Sequence, residues 1–127
     1  MDIKILEGNS MKKSLEMGKY YDLTNEKINE IITKKSAGNY AYGNIKNDTF
    51  MVSYVGRSDT DLNDRIKHGV GKYKKFKFSY ASSPKNAFQK ECKNYHDFGE
   101  NNIKDNEKHP QRPDHTNWEC QICDLFD

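Results

Sequence analysis

Asn39-Tyr40-Ala41-Tyr42-Gly43-Asn44-Ile45 and Thr49-Phe50-Met51-Val52-Ser53-Tyr54-Val55 flank Lys46-Asn47-Asp48, and the reading of this stretch decides the fold. Asn47 and Asp48 are turn formers, so residues 39–45 and 49–55 are expected to be two strands of a β-hairpin. Each strand brings a tyrosine close to a glycine, in Gly38-Asn39-Tyr40 and in Tyr54-Val55-Gly56. Downstream, Ser58-Asp59-Thr60-Asp61 supplies caps for a helix that runs to about residue 68. Leu62 and Ile66 lie four apart on its buried face, with Arg65 beside them, and Gly69 and Gly71 break it. Phe76, Phe78 and Tyr80 then alternate with Lys75, Lys77 and Ser79, the pattern of a third strand with one face on a core. Ser83-Pro84 is an N-cap and N1 pair, after which Ala87, Phe88, Glu91 and Tyr95 recur at helical spacing to about residue 98. Glu91 therefore falls on a mostly apolar helix face.

On the N-terminal side, residues 1–36 read as a helical extension. Ile3, Ile5 and Leu6 suggest a short strand. Thr24 is an N-cap with Glu26 in the first turn, and Ile28, Ile31 and Ile32 give an amphipathic helix to about residue 35, packed on the sheet. Residues 37–127 form the main domain, whose tail, from about residue 99 onward, turns polar through Asn101, Asn102, Asp105 and Asn106 before His109-Pro110 and Pro113. Such a run is loop unless something staples it.

At 127 residues the chain has room for one compact domain and a short appendage. A hydrophobic fraction of 34% against 31% charged residues argues for weak burial, whereas eight Tyr, six Phe and one Trp supply enough aromatic area for a small core. The net charge of +2 excludes a global polyelectrolyte. A local run is another matter: Arg65, Lys67, His68, Lys72, Lys74, Lys75 and Lys77 have no acid among them and would attract phosphates, the alternative being a solvated lysine face. No stretch approaches the ~20 apolar residues of a membrane span, and no signal peptide is read near the start. An odd count of three cysteines favours a reducing, cytoplasmic setting.

The ordered set Gly38-Asn39-Tyr40, Tyr54-Val55-Gly56, Arg57, Arg65 and a helical Glu91 resembles the GIY-YIG nuclease family over about residues 38–106. The fold this implies is a small mixed α/β domain, with a three-stranded, mainly antiparallel sheet flanked by helices and a zinc-stapled tail. The resemblance implies that Tyr40 and Tyr54 position or deprotonate the attacking water, that Arg65 stabilises the phosphate, and that Glu91 holds one Mg²⁺ or Mn²⁺. Neighbouring cations are expected to lower the tyrosine pKa toward base work. Arg57 would assist phosphate binding together with Lys67, Lys72, Lys74 and Lys75. Relatives often carry His or Tyr four residues after the arginine, where this chain has Gly69, and His68 is kept as a further candidate. For Glu91 the alternative is snorkelling to solvent or pairing with a lysine, and for Arg65 a place in the basic patch.

The C-terminal part resembles a smaller group of such proteins, through Asn106, His109, Pro110, Thr116, Trp118, Cys120 and Cys123. That resemblance assigns Asn106 to the edge of the active site, with Asn117 as the alternative asparagine. Cys92 and His96 are four apart on a helix, and Cys120-Gln121-Ile122-Cys123 has zinc-knuckle spacing, so these four are expected to bind one structural zinc, with His109 able to replace His96. Unliganded thiols are the alternative. The expected activity is metal-dependent hydrolysis of nucleic-acid phosphodiesters, DNA in preference to RNA, with dimerisation or a recognition partner adding specificity. A non-catalytic nucleic-acid-binding module and a protein-interaction domain stand as the other classes.

Overall fold

The computed structural model describes residues 14–99 and 109–123. The strand expected at Ile3 to Leu6 and the candidate Asn106 lie outside the described residues. In chain order the elements are β1 (Tyr21–Asp22), α1 (Asn25–Ile31), β2 (Gly38–Lys46), β3 (Thr49–Ser58), α2 (Leu62–Ile66), a 3-10 turn (Lys67–Gly69), β4 (Lys75–Tyr80), α3 (Pro84–Asn94) and a π turn (Tyr95–Gly99).

The expected hairpin is β2 and β3. Asn47 and Asp48 both take positive φ, 52° and 62°, the backbone of a tight turn whose twist matches that of the strands it joins. Pairing starts at Lys46↔Thr49 and runs regularly to Gly43↔Val52, then shifts by one residue so that Tyr42 faces Tyr54. Ser53 is the extra residue of a β-bulge.

Among the described residues the sheet has four antiparallel strands in the order β1-β4-β2-β3, one more than the sequence reading expected. The addition is β1, in which Tyr21 and Asp22 pair with Phe76 and Lys75. Two residues are too few to leave a periodicity. Thr24 caps α1 by accepting from the Lys27 N–H at 3.1 Å. The helix ends at Ile31 rather than near residue 35: the Ile32 N–H still donates to the Ile28 carbonyl at 2.8 Å, but those of Thr33 and Lys34 turn to the Tyr80 hydroxyl at 3.2 and 3.4 Å. Asp61 and Ser83 cap α2 and α3 as the sequence suggests.

Helices cover both faces of the sheet. On one, Leu23, Ile28 and Ile32 meet Tyr40, Tyr42, Leu62, Ile66 and Phe76. On the other, Leu15 and Met17 pack with Ala41, Phe50, Val52, Val55, Tyr95 and Phe98. Residues 14–36 thus contribute a strand, a helix and core side chains to the same sheet. The expectation that β4 buries a single face is corrected: Lys77 is buried as well, its ammonium 5.2 Å from the Phe50 ring centroid. A lysine stem can lie along apolar surface in this way. No helix among the described residues is long and apolar enough to cross a membrane.

Candidate active site and metal centre

Alternation along β2 puts Tyr40 and Tyr42 on one face of the sheet and Asn39 and Ala41 on the other. Across the hairpin, the bulge at Ser53 returns Tyr54 to the face of Tyr42, and Arg57, opposite Asn39, falls on the α3 face. Groups from both faces nevertheless meet at the β3 edge. Gly56 makes this geometry available, since it has no side chain between the Tyr40 phenol and the strand. From the α3 side, Arg57 donates through Nη1 to Glu91 Oε1 at 2.7 Å, through Nε to Asp59 Oδ1 at 2.8 Å and through Nη2 to the Gln111 carbonyl at 2.8 Å. Arg65 reaches back from α2 to the Arg57 carbonyl at 3.4 Å. Tyr40, Tyr54, Arg57, Asp59, Arg65, Glu91 and Gln111 together line an open cavity of about 360 Å³. Asn39, in the middle of its triplet, donates to the Ala87 carbonyl at 2.9 Å and so ties α3, and with it Glu91, to β2.

Burial raises the Glu91 pKa above the usual carboxylate value, and Arg57 opposes the shift. The expectation that cations would lower the tyrosines is overturned. Burial pushes Tyr40 far up, and Tyr42 and Tyr54 add to it, while Arg65 works in the opposite sense without prevailing. Tyr54 is raised by burial and then by Glu91, again against Arg65. Both phenols are therefore protonated at neutral pH in the metal-free protein.

A second cavity, of about 280 Å³, adjoins the first and shares Tyr40, Tyr54 and Arg65 with it; Tyr42, His68, Gly69, Lys72 and Tyr73 complete its wall. A Cβ at Gly69 would run into the Tyr42 ring, whose hydroxyl donates to the Ile66 carbonyl at 2.9 Å. Of the basic residues expected at nucleic acid, Arg57 and Lys72 line these cavities, and Lys67 and Lys74 line neither. Lys75 lies on β4, separated from β3 by β2, and pairs with Asp22.

The tail docks on α3 through Trp118, whose ring centroid is 6.0 Å from that of Phe88, and Cys120 packs with Phe88 and Cys92. There the ligand atoms of His96, His109, Cys120 and Cys123 lie within 4.8 Å of one another, a His₂Cys₂ cluster that could hold a metal ion such as zinc. His109 Nδ1 is 2.8 Å from the Pro110 carbonyl, which favours the tautomer that directs the Nε2 lone pair to Cys123 Sγ, 3.5 Å away. Burial opposes ionisation of Cys120, yet the backbone N–H groups of Ile122 and Cys123, with His109 and Cys92, draw its thiol down to about 6. A thiolate is the form a metal requires.

Cys92 is not part of this cluster, which corrects the expected ligand set: His109 takes the place of Cys92, not of His96. Cys92 is fully buried against Phe88, and burial, followed by Cys120, raises its thiol well above the ordinary value. The expectation assumed a regular α-helix through residue 96. The helix instead opens into the π turn after Asn94, and the His96 ring comes to rest 5.1 Å from that of His109.

Asp59, Tyr42, Tyr73, Gln111 and Asn39 were not singled out from the sequence. Asp59 and Asn39 carried signals that had other readings, as a cap and as a triplet spacer. Gln111 acts through its carbonyl, which leaves no trace in residue type. Asn117 is exposed on the tail. Comparison with known proteins returns no matching family model, no matching curated protein and no matching solved structure.

Proposed function

We propose that the chain is a divalent-metal-dependent hydrolase of nucleic-acid phosphodiesters, acting on DNA in preference to RNA, with the resemblance to GIY-YIG nucleases as its likeness in fold and site. One observation carries the reading. Two tyrosines, two arginines and a buried glutamate, which the sequence scatters over residues 40–91, converge on one polar cavity at an open sheet edge. The donors fit a hard cation, because Glu91 and Asp59 offer carboxylate oxygens beside phenol oxygens. When bound, Mg²⁺ or Mn²⁺ would supply charge neutralisation at the phosphate and a lower pKa for water. Arg65 offers a planar fork to the phosphate oxygens as charge grows in the transition state, and Arg57 orients Glu91. Tyr54 is better suited than Tyr40 to relay a proton from water, being the less buried of the two. The His₂Cys₂ cluster, holding zinc, would staple the tail so that the Gln111 carbonyl stays on Arg57. Three cysteines, two of them with their histidines in that cluster, accord with a reducing compartment such as the cytoplasm.

A second reading draws on the same contact. Arg57 Nη1 already neutralises Glu91, so a cation must compete with it, and a site that keeps the ion pair would bind nucleic acid without cutting it. Incubation of the purified protein with plasmid, single-stranded DNA and RNA, each with Mg²⁺, Mn²⁺ or EDTA, tests the two. Metal-dependent cleavage that Glu91→Gln abolishes supports the hydrolase; salt-dependent binding without cleavage leaves the binding module.

A further inference from the structure

We propose that the tyrosine-walled cavity beside the candidate catalytic pocket is a subsite for one unpaired nucleobase, so that the substrate of this site is single-stranded nucleic acid. The inference rests on the phosphodiesterase reading above and names its substrate class. It begins with three rings. The Tyr54 and Tyr42 centroids are 5.8 Å apart with the planes at 23°, and those of Tyr42 and Tyr73 are 4.8 Å apart at 14°, a continuous stack. Tyr42 is buried in the middle, and Tyr54 and Tyr73 at the two ends are half-buried. The cavity of about 280 Å³ runs along this stack, with His68, Lys72 and Arg65 on its wall.

A phosphate needs cations and hydrogen-bond donors, and the adjoining pocket already provides them through Arg57 and Arg65. Phenol faces add little for a phosphate. They suit a flat heterocycle, because every base has a π face and stacking tolerates any sequence. At this size, near the lower end of ligand pockets, the cavity has room for a single planar ring system. Lys72 and Arg65 sit where the flanking phosphates of the same strand would pass, and His68 and the tyrosine hydroxyls can meet a base edge.

The shared wall of Tyr40, Tyr54 and Arg65 makes the two cavities one continuous site. A strand whose phosphate rests at Arg65 has an adjacent base within reach of the tyrosine stack. In a duplex that base would first have to leave its partner and its neighbours, at a cost above what one aromatic contact returns. An unpaired base has no pairing to lose.

The test uses the full chain with its metal retained and Ca²⁺ in place of Mg²⁺. A single-stranded dodecamer carries 2-aminopurine, whose fluorescence stacking quenches, at successive positions. Quenching is expected with the single strand and not with the matched duplex; Tyr73→Ala should weaken binding by about tenfold, the low end for one lost base–aromatic stack, and Tyr73→Phe should restore it. With Mg²⁺, an abasic site at one fixed distance from the cleaved bond should lower kcat/KM by about tenfold, a readout that needs no variant of the protein. Equal binding and cleavage of single strand and duplex, with no position sensitive to base removal, would overturn the subsite and leave the phosphodiesterase standing. Quenching that depends on the Tyr73 ring in a protein that cleaves nothing would instead keep the subsite and remove the enzyme. Absence of both quenching and cleavage overturns both.

Discussion

The hydroxyl of Tyr40 occupies the space in which any residue other than glycine at position 56 would put its Cβ: an atom built there falls 2.5 Å from Tyr40 Oη and 2.6 Å from Cζ. The glycine of the Tyr54-Val55-Gly56 triplet is thereby explained as clearance, not as a turn. Gly56 lies within β3, and its bare backbone lets a phenol from one face of the sheet approach Arg57 and Glu91 from the other.

Gly56→Ala should therefore displace Tyr40, which is almost wholly buried and has little room to yield. Overpacking of this kind costs about 1–3 kcal/mol. Chemical denaturation should show a loss in that range, and under the proposed function cleavage should fall further than stability alone accounts for, because the displaced ring lines the candidate catalytic pocket.

The raised tyrosine pKa values set the direction of a pH profile. A phenol whose pKa lies above its usual value is protonated across the neutral range, so the fraction able to accept a proton grows with pH. The kcat/KM of the wild type is expected to climb by about tenfold per pH unit on the alkaline side of neutrality. Tyr54→Phe keeps the ring and removes the hydroxyl, and should lower kcat by ~100-fold or more while flattening that rise. An unchanged profile in Tyr54→Phe would move proton transfer to Tyr40 or His68.

Glu91 and Arg57 form an ion pair with both side chains largely out of water. Removal of one partner from such a pair is costly, about 3 kcal/mol, and Glu91→Ala should show it in thermal melts. Glu91→Gln retains an acceptor for Arg57 and should be closer to wild type in stability. Both should lose metal-dependent cleavage, and a fully active Glu91→Gln would refute the assigned role.

The cluster on the tail separates two ligand sets. Cys120→Ser and His109→Ala should each lower bound zinc from about one ion per chain and reduce thermal stability. Cys92→Ser should leave the zinc content unchanged, since that thiol packs in the core. Chelation should also weaken cleavage, because the tail hands the Gln111 carbonyl to Arg57.

Much of this architecture is legible in residue order. The turn at Asn47-Asp48, the caps at Thr24, Asp61 and Ser83, and the alternation around Phe76 and Phe78 each act over a few residues, where local chemistry dominates. Features set by distant contacts are not legible in this way. The strand at Tyr21-Asp22 exists because β4 offers it an edge, and α1 stops where Tyr80 captures the N–H groups of Thr33 and Lys34. For the candidate site, Tyr40, Tyr54, Arg57, Arg65 and Glu91 are picked out by the resemblance and not by local chemistry, and all five line one cavity. The expected set of Cys92, His96, Cys120 and Cys123, with His109 only as a replacement for His96, applies regular helical geometry beyond the point where the helix opens into a π turn.

The unpaired Ser53 carries a lesson about alignment. In an unbulged hairpin with the same turn, Ser53 would face Tyr42, and Tyr54 would lie on the side of Val52, pointing into the α3 core. A homologue without the bulge must carry its second tyrosine one position nearer the turn to reach the same place. Gap placement between residues 49 and 54 then decides whether two such sequences superpose on chemistry or only on letters, and a one-residue deletion there would cost this chain more than most substitutions along the same strand.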